Sequence, residues 1–177
     1  AWLAAARIAL NQAAAREAFG LCEKGIAAID KIPASDSVTH TKIELLLTLG
    51  PAVIATRGYT DHRLEKAYAD ALSLSEGLDA KDRSFAALFG AFTFNIVSAK
   101  HDKAHQITKQ LTDIADAQGD IELVTEANMA SGLSKYFIGD FLSSKAFFTK
   151  TLNDYSADIY GRHAVSFGQD PKMIALA

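Results

Sequence analysis

Between Gly132 and Phe148 the sequence GLSKYFIGDFLSSKAFF reads as the end of one helix, a tight turn and the start of another. Gly139 suits the left-handed conformation that closes a helix, and Asp140 suits the position that caps the next one. Phe141, Ser144, Phe148 and Leu152 then recur at helical spacing, and Gly132 leaves room for a neighbouring helix to come close. Two antiparallel helices that share one apolar stripe cannot bury everything between themselves, so each pair must lean on another. That restricts the fold to helical hairpins used repeatedly. The 177 residues suffice for about four such pairs. Alanine is the commonest residue, only Pro33, Pro51 and Pro171 interrupt, and no run of alternating Val, Ile and Thr marks a strand.

Along the chain, the helix pairs are expected at about 1–32, 37–79, 81–118 and 120–153. Ser35, Asp36 and Ser37 are cap candidates after Pro33, and Thr60 or Asp61 caps the helix that follows Gly58-Tyr59. Gly50-Pro51 predicts a kink or restart, because proline removes a helical hydrogen bond and clashes with the preceding turn. The stretch from Asp82 to Ala99 is apolar nearly all round and reads as a helix buried on several sides. Lys100-His101-Asp102 reads as a break, with the next helix from Lys103 to Gln118, and Gly119-Asp120 repeats the stop-and-cap signal. A long loop is expected over 153–168, with Tyr155, Tyr160, His163 and Phe167 placed to settle on the helices. Asp170-Pro171 opens a last helix.

The net charge of −3 comes with no basic stripe, so no nucleic-acid partner is expected. The apolar stretches are shorter than the ~20 residues a membrane span needs, so no membrane partner is expected either. A single cysteine, Cys22, rules out a disulfide framework within the chain and fits a cytoplasmic setting. The start at Ala1 and the apolar stretch that stops at Ala177 suggest a fragment of a larger protein, whose cut ends would expose apolar faces and self-associate as a homo-oligomer.

A shift of 40 residues carries Ala99, Ala104 and Ile107 onto Gly139, Ser144 and Phe147. The unit formed by Gly132, Gly139-Asp140-Phe141, Ser144 and Phe148 resembles the tetratricopeptide repeat, and Trp2, Ala6, Ala18 and Gly25 fit the same spacing. The turn at Ala99 lacks the glycine of that pattern. Three segments, Leu45 to Tyr59, Leu64 to Ala69 and Phe167-Gly168-Gln169-Asp170-Pro171, resemble the C-terminal helical repeats of bacterial signalling proteins that join an adenylate/guanylate cyclase domain to an AAA-type ATPase domain. The resemblance implies one all-α domain over 1–177, made of tetratricopeptide-like hairpins stacked in a right-handed α-solenoid. It also implies a non-catalytic regulatory role, with protein segments, peptides or other domains of the same chain as partners. By that likeness Phe89, Thr93, Glu126, Met129, Leu133 and Tyr136 would face the concave groove.

No residues stand out as catalytic, cofactor-binding or metal-binding. His101 and His105, one helical turn apart, would suit a metal, but no third ligand is evident and a solvated helix start is expected. Cys22 lies on an apolar stripe and reads as core. Asp113, Asp116, Asp120 and Glu122 lack the spacing of a calcium loop. Arg57-Gly58-Tyr59 and Arg162-His163 offer guanidinium and ring surfaces to an anion, against the plainer role of closing a helix end. The alternative function is a helical domain that senses a small-molecule effector in a pocket under the 153–168 loop.

Overall fold

The computed structural model describes residues 1–78, 81–156 and 169–177, and the expected loop positions from 157 to 168, with Tyr160, Arg162, His163 and Phe167, lie outside them. Among the described residues there are nine helices and no strand: α1 (Trp2–Asn11), α2 (Ala15–Ile29), α3 (Asp36–Arg57), α4 (His62–Gly77), α5 (Lys81–Val97), α6 (His101–Gln118), α7 (Ile121–Phe137), α8 (Phe141–Asp154) and α9 (Pro171–Leu176). The chain divides into two compact units, Ala1–Ala87 and Leu88–Ala177, with α5 running from one into the other.

In the first unit α1 packs on α2, α2 on α3 and α3 on α4, and α1 also reaches α3. Small residues make this possible. Ala9, Ala18 and Ala52, from three helices, form a core cluster ringed by Leu10, Ala14, Phe19 and Leu21. The α2 stripe is Ala18, Cys22 and Gly25, and the α4 stripe is Leu64, Ala67, Tyr68, Ala71 and Ser75. Between them α3 is buried on several sides, through Ile43, Leu45, Leu46, Leu49, Ala52 and Val53. Its Glu44 accepts from Arg7 of α1 and from Arg83 of α5 (2.7 Å).

The restart expected at Gly50-Pro51 does not form: α3 runs unbroken from Asp36 to Arg57 with Pro51 inside it. Pro51 has no N–H to offer the carbonyl of Leu47, a loss that ordinarily costs ~3 kcal/mol. Burial of the flanking turns outweighs it. Gly50 serves packing, since a methyl group there would lie 2.6 Å from Cζ of the buried Tyr68 on α4.

The second unit is built around α7, which packs on α6 and α8 and is touched by α9. Its buried residues, Thr125, Glu126, Ala127, Met129, Ala130, Ser131, Gly132 and Ser134, go nearly all round the helix. Ala104, Thr108, Leu111 and Ala115 form the buried stripe of α6. Gly132 plays the part that Gly50 plays in the first unit. A methyl group there would meet Cδ1 of Phe148 at 2.6 Å and Cε1 at 2.7 Å. The Ser144 hydroxyl donates to the Gly132 carbonyl at 2.8 Å and fixes the same close approach.

One turn is used three times. Ala13, Ala99 and Gly139 have φ of 58°, 57° and 82°. The amide of each donates to the carbonyl three residues back: Leu10 (2.9 Å), Ile96 (3.1 Å) and Tyr136 (3.0 Å). The next amide donates five residues back: Ala14 to Ala9 (2.8 Å), Lys100 to Asn95 (2.8 Å) and Asp140 to Lys135 (3.0 Å). This is the Schellman closure, and the residue after it begins the following helix. Five positions past the left-handed residue stand Ala18, Ala104 and Ser144, all small and buried. The turns α1–α2, α5–α6 and α7–α8 are therefore one structural unit repeated, whereas α3–α4 uses Gly58 (φ 89°) and a longer link.

Caps follow the expected side chains. Ser35, Asp61, Asp120, Asp140 and Asp170 each accept from a backbone amide of the first turn they precede. The break expected at Lys100-His101-Asp102 falls slightly earlier, at Ser98 to Lys100, and α6 starts at His101 directly after the Schellman turn. The Tyr155 hydroxyl donates to Asp170 (3.0 Å) and Lys172 lies 5.1 Å from the Tyr155 ring, which joins the end of α8 to the start of α9.

Candidate functional site

The six residues assigned to a groove all fall in the second unit, and their burial differs widely. Glu126, Met129, Leu133 and Tyr136 share one face of α7 by spacing. Along that face Glu126 and Met129 are fully buried, Leu133 is half-buried and Tyr136 is exposed. On α5, Phe89 is buried with its ring 6.1 Å from Phe92, and Thr93 is half-buried with its hydroxyl donating to the Phe89 carbonyl (3.1 Å). Contact from solvent along this face is thus concentrated at the Tyr136 end.

Several aromatic rings meet at that end. Tyr136 meets Phe137 and Phe141 edge-on, with centroids at 5.7 and 5.6 Å. Phe137 stacks on His101 of α6 at 5.1 Å, nearly parallel. One turn along α6, His105 Nδ1 lies 3.4 Å from the Ser134 hydroxyl. His101 and His105 therefore do face one way, but towards α7, and both are half-buried instead of solvated. Burial, then Lys135 and Lys109, hold the His105 imidazole below its usual range, against the opposing pull of Asp102. Among the described residues no group of three or more His, Cys, Asp or Glu is placed to hold a metal ion. Asp140 is held below the usual carboxylate range by hydrogen bonds from Ser143, and then by Lys135 at 3.4 Å.

In the first unit the Arg57 and Arg63 guanidinium groups lie 5.2 and 5.7 Å from the Phe19 ring. Arg63 also approaches Asp61 (3.3 Å), the residue that caps α4. Gly58 closes α3 and Tyr59 is exposed beside it. An open cleft of about 500 Å³ lies between the α1–α2 turn and the end of α3, lined by Ala13 to Glu17, Ala55 and Thr56. Its walls are mostly alanine, with Arg16 and Glu17 of opposite sign side by side. Cys22 is fully buried and burial pushes its thiol up to about 11, so it is protonated and inert at neutral pH.

Two features escape the reading of the sequence. One is the Gly50–Tyr68 contact, hidden behind the proline next to it. The other is the exposure of Tyr136, Phe137, Ile138, Phe141 and Leu142 around Gly139. Helical spacing puts Phe141 on the α8 stripe with Ser144 and Phe148, yet it is exposed, at the first position of α8. The signal is present in the chain: turns favour small polar residues, and this one is flanked on both sides by large apolar ones. No family model, no curated protein and no solved structure matches the chain.

Proposed function

We propose that this chain is a non-catalytic protein-interaction and regulatory repeat domain of a multidomain cytoplasmic signalling ATPase or nucleotide cyclase. In this reading its tetratricopeptide-like hairpins stack in a right-handed solenoid. Protein segments, or other domains of the same polypeptide, occupy the surface the stack leaves open. The observation that carries the reading is the recurrent Schellman turn at Ala13, Ala99 and Gly139, with a small buried residue five positions later each time. A hairpin repeated with the same closure is the building block of a solenoid. The contacts Gly50–Tyr68 and Gly132–Phe148 add a small-to-aromatic lock within two of the hairpins.

The test has two parts. The reading frame to which this segment belongs is expected to encode a nucleotide cyclase or ATPase domain. The isolated chain is expected to hydrolyse no ATP and to cyclise no nucleotide. A frame without such a domain, or turnover by the chain alone, would overturn the proposal.

A further inference from the structure

We propose that the tip of the α7–α8 hairpin is a docking surface for an anionic lipid bilayer. Tyr136, Phe137, Ile138, Phe141 and Leu142 are all exposed there, Phe141 at 62% and Leu142 at 87%. Gly139, at the centre of the turn, has open space where a side chain would point. Exposed apolar patches of this kind mark contact surfaces. The ring contacts among Tyr136, Phe137, Phe141 and His101 hold the tip in one arrangement before anything binds.

The rim is basic. Exposed Lys103 lies two residues past His101 and exposed Lys145 follows Phe141 by one turn of α8, while Lys100 is half-buried with its ammonium 4.6 Å from the Phe94 ring. Lys135 and Asp140 pair with each other at 3.4 Å and cancel, which leaves Asp102 as the carboxylate beside the two exposed lysines. The acidic residues Asp113, Asp116, Asp120 and Glu122 lie towards the other ends of α6 and α7, which at 1.5 Å per residue is roughly 15–25 Å away. That exceeds the screening length of about 8 Å at physiological salt, so they do not cancel the rim.

This charge pattern selects the occupant. A second copy docked tip to tip would bring two basic rims together. A peptide in a groove needs walls, and Leu142 is almost free of neighbours. A bilayer accepts apolar side chains at its headgroup boundary while lysines meet anionic headgroups, and a peripheral contact of this sort requires no spanning helix. Among the described residues no helix is long and apolar enough to cross a membrane.

The experiment is co-sedimentation of the 177-residue chain with vesicles of equal parts phosphatidylglycerol and phosphatidylcholine, and with phosphatidylcholine alone. Binding is expected to the anionic vesicles and to weaken with salt. Leu142→Glu, Phe141→Ser and the pair Lys103→Glu, Lys145→Glu should each lower it roughly tenfold or more. These positions are exposed, so circular dichroism of the variants should match the parent chain. Absence from the anionic pellet at low salt overturns the proposal, as does equal binding by all variants. A concentration-dependent dimer that Leu142→Glu abolishes would assign the face to a second copy and overturn it too.

Discussion

Replacing Gly132 with alanine tests whether the close approach of α7 and α8 is a real constraint. The added methyl group would lie 2.6, 2.7 and 3.2 Å from three ring atoms of Phe148. Helix separation is also fixed by the buried hydrogen bond from Ser144 to the Gly132 carbonyl, so the helices cannot drift apart without breaking it. Overpacking of this kind costs ~1–3 kcal/mol. Alanine is better than glycine in a helix by about 1 kcal/mol, which offsets part of the loss. The net expectation for Gly132→Ala is a destabilisation of ~0–2 kcal/mol, too close to zero to interpret alone. A double-mutant cycle separates the two effects. With Phe148→Ala already in place the clash is gone, and Gly132→Ala should stabilise by about 1 kcal/mol. The coupling between the sites is then ~1–3 kcal/mol. Urea unfolding followed by far-ultraviolet circular dichroism measures it. Equal stabilisation by Gly132→Ala in both backgrounds would refute the packing argument.

Ala13 and Ala99 hold a left-handed conformation that costs a side-chain-bearing residue ~1–2 kcal/mol, so Ala99→Gly should stabilise by up to ~1 kcal/mol after the extra entropy of glycine is deducted. Thermal melting checks it, and a lowered melting temperature would count against the turn assignment. Leu111 is fully buried on the α6 stripe, and Leu111→Ala should cost ~2–5 kcal/mol in urea unfolding. His105 has a folded pKa below its unfolded value of about 6.5, so the unfolded chain binds the proton more readily. Its stabilising contribution is therefore present above that unfolded value and is lost as the pH falls through it towards the folded pKa. Burial sets this first, then Lys135 on α7 and Lys109 on α6, with Asp102 on α6 opposing them. His105→Gln should flatten the acid limb of melting temperature against pH, and an unchanged limb would sink the assignment.

Local signals carry far along this chain. Ser35, Asp61, Asp120, Asp140 and Asp170 are legible as caps because capping depends on a few adjacent residues. The equivalence of Ala99 with Gly139 is legible too, from small residues recurring at fixed spacing, although alanine at the turn conceals its left-handed backbone. What stays hidden depends on neighbours distant in sequence. Helical spacing places Glu126, Met129, Leu133 and Tyr136 on one face of α7, but it does not tell how much of that face other helices cover. Pro51 signals a break by local rules, and burial of α3 on several sides keeps the helix whole. His101 and His105 read as solvated because the residues they meet, Phe137 and Ser134, come from the following helix.

The proposed stacking of hairpins is tested most directly by small-angle X-ray scattering of the monomeric chain. A compact domain of 177 residues has a radius of gyration of ~16 Å. Hairpins stacked in register predict a value clearly above that, with an extended tail in the distance distribution. A radius at the compact value with a symmetric distribution would contradict the solenoid and the interaction surface derived from it.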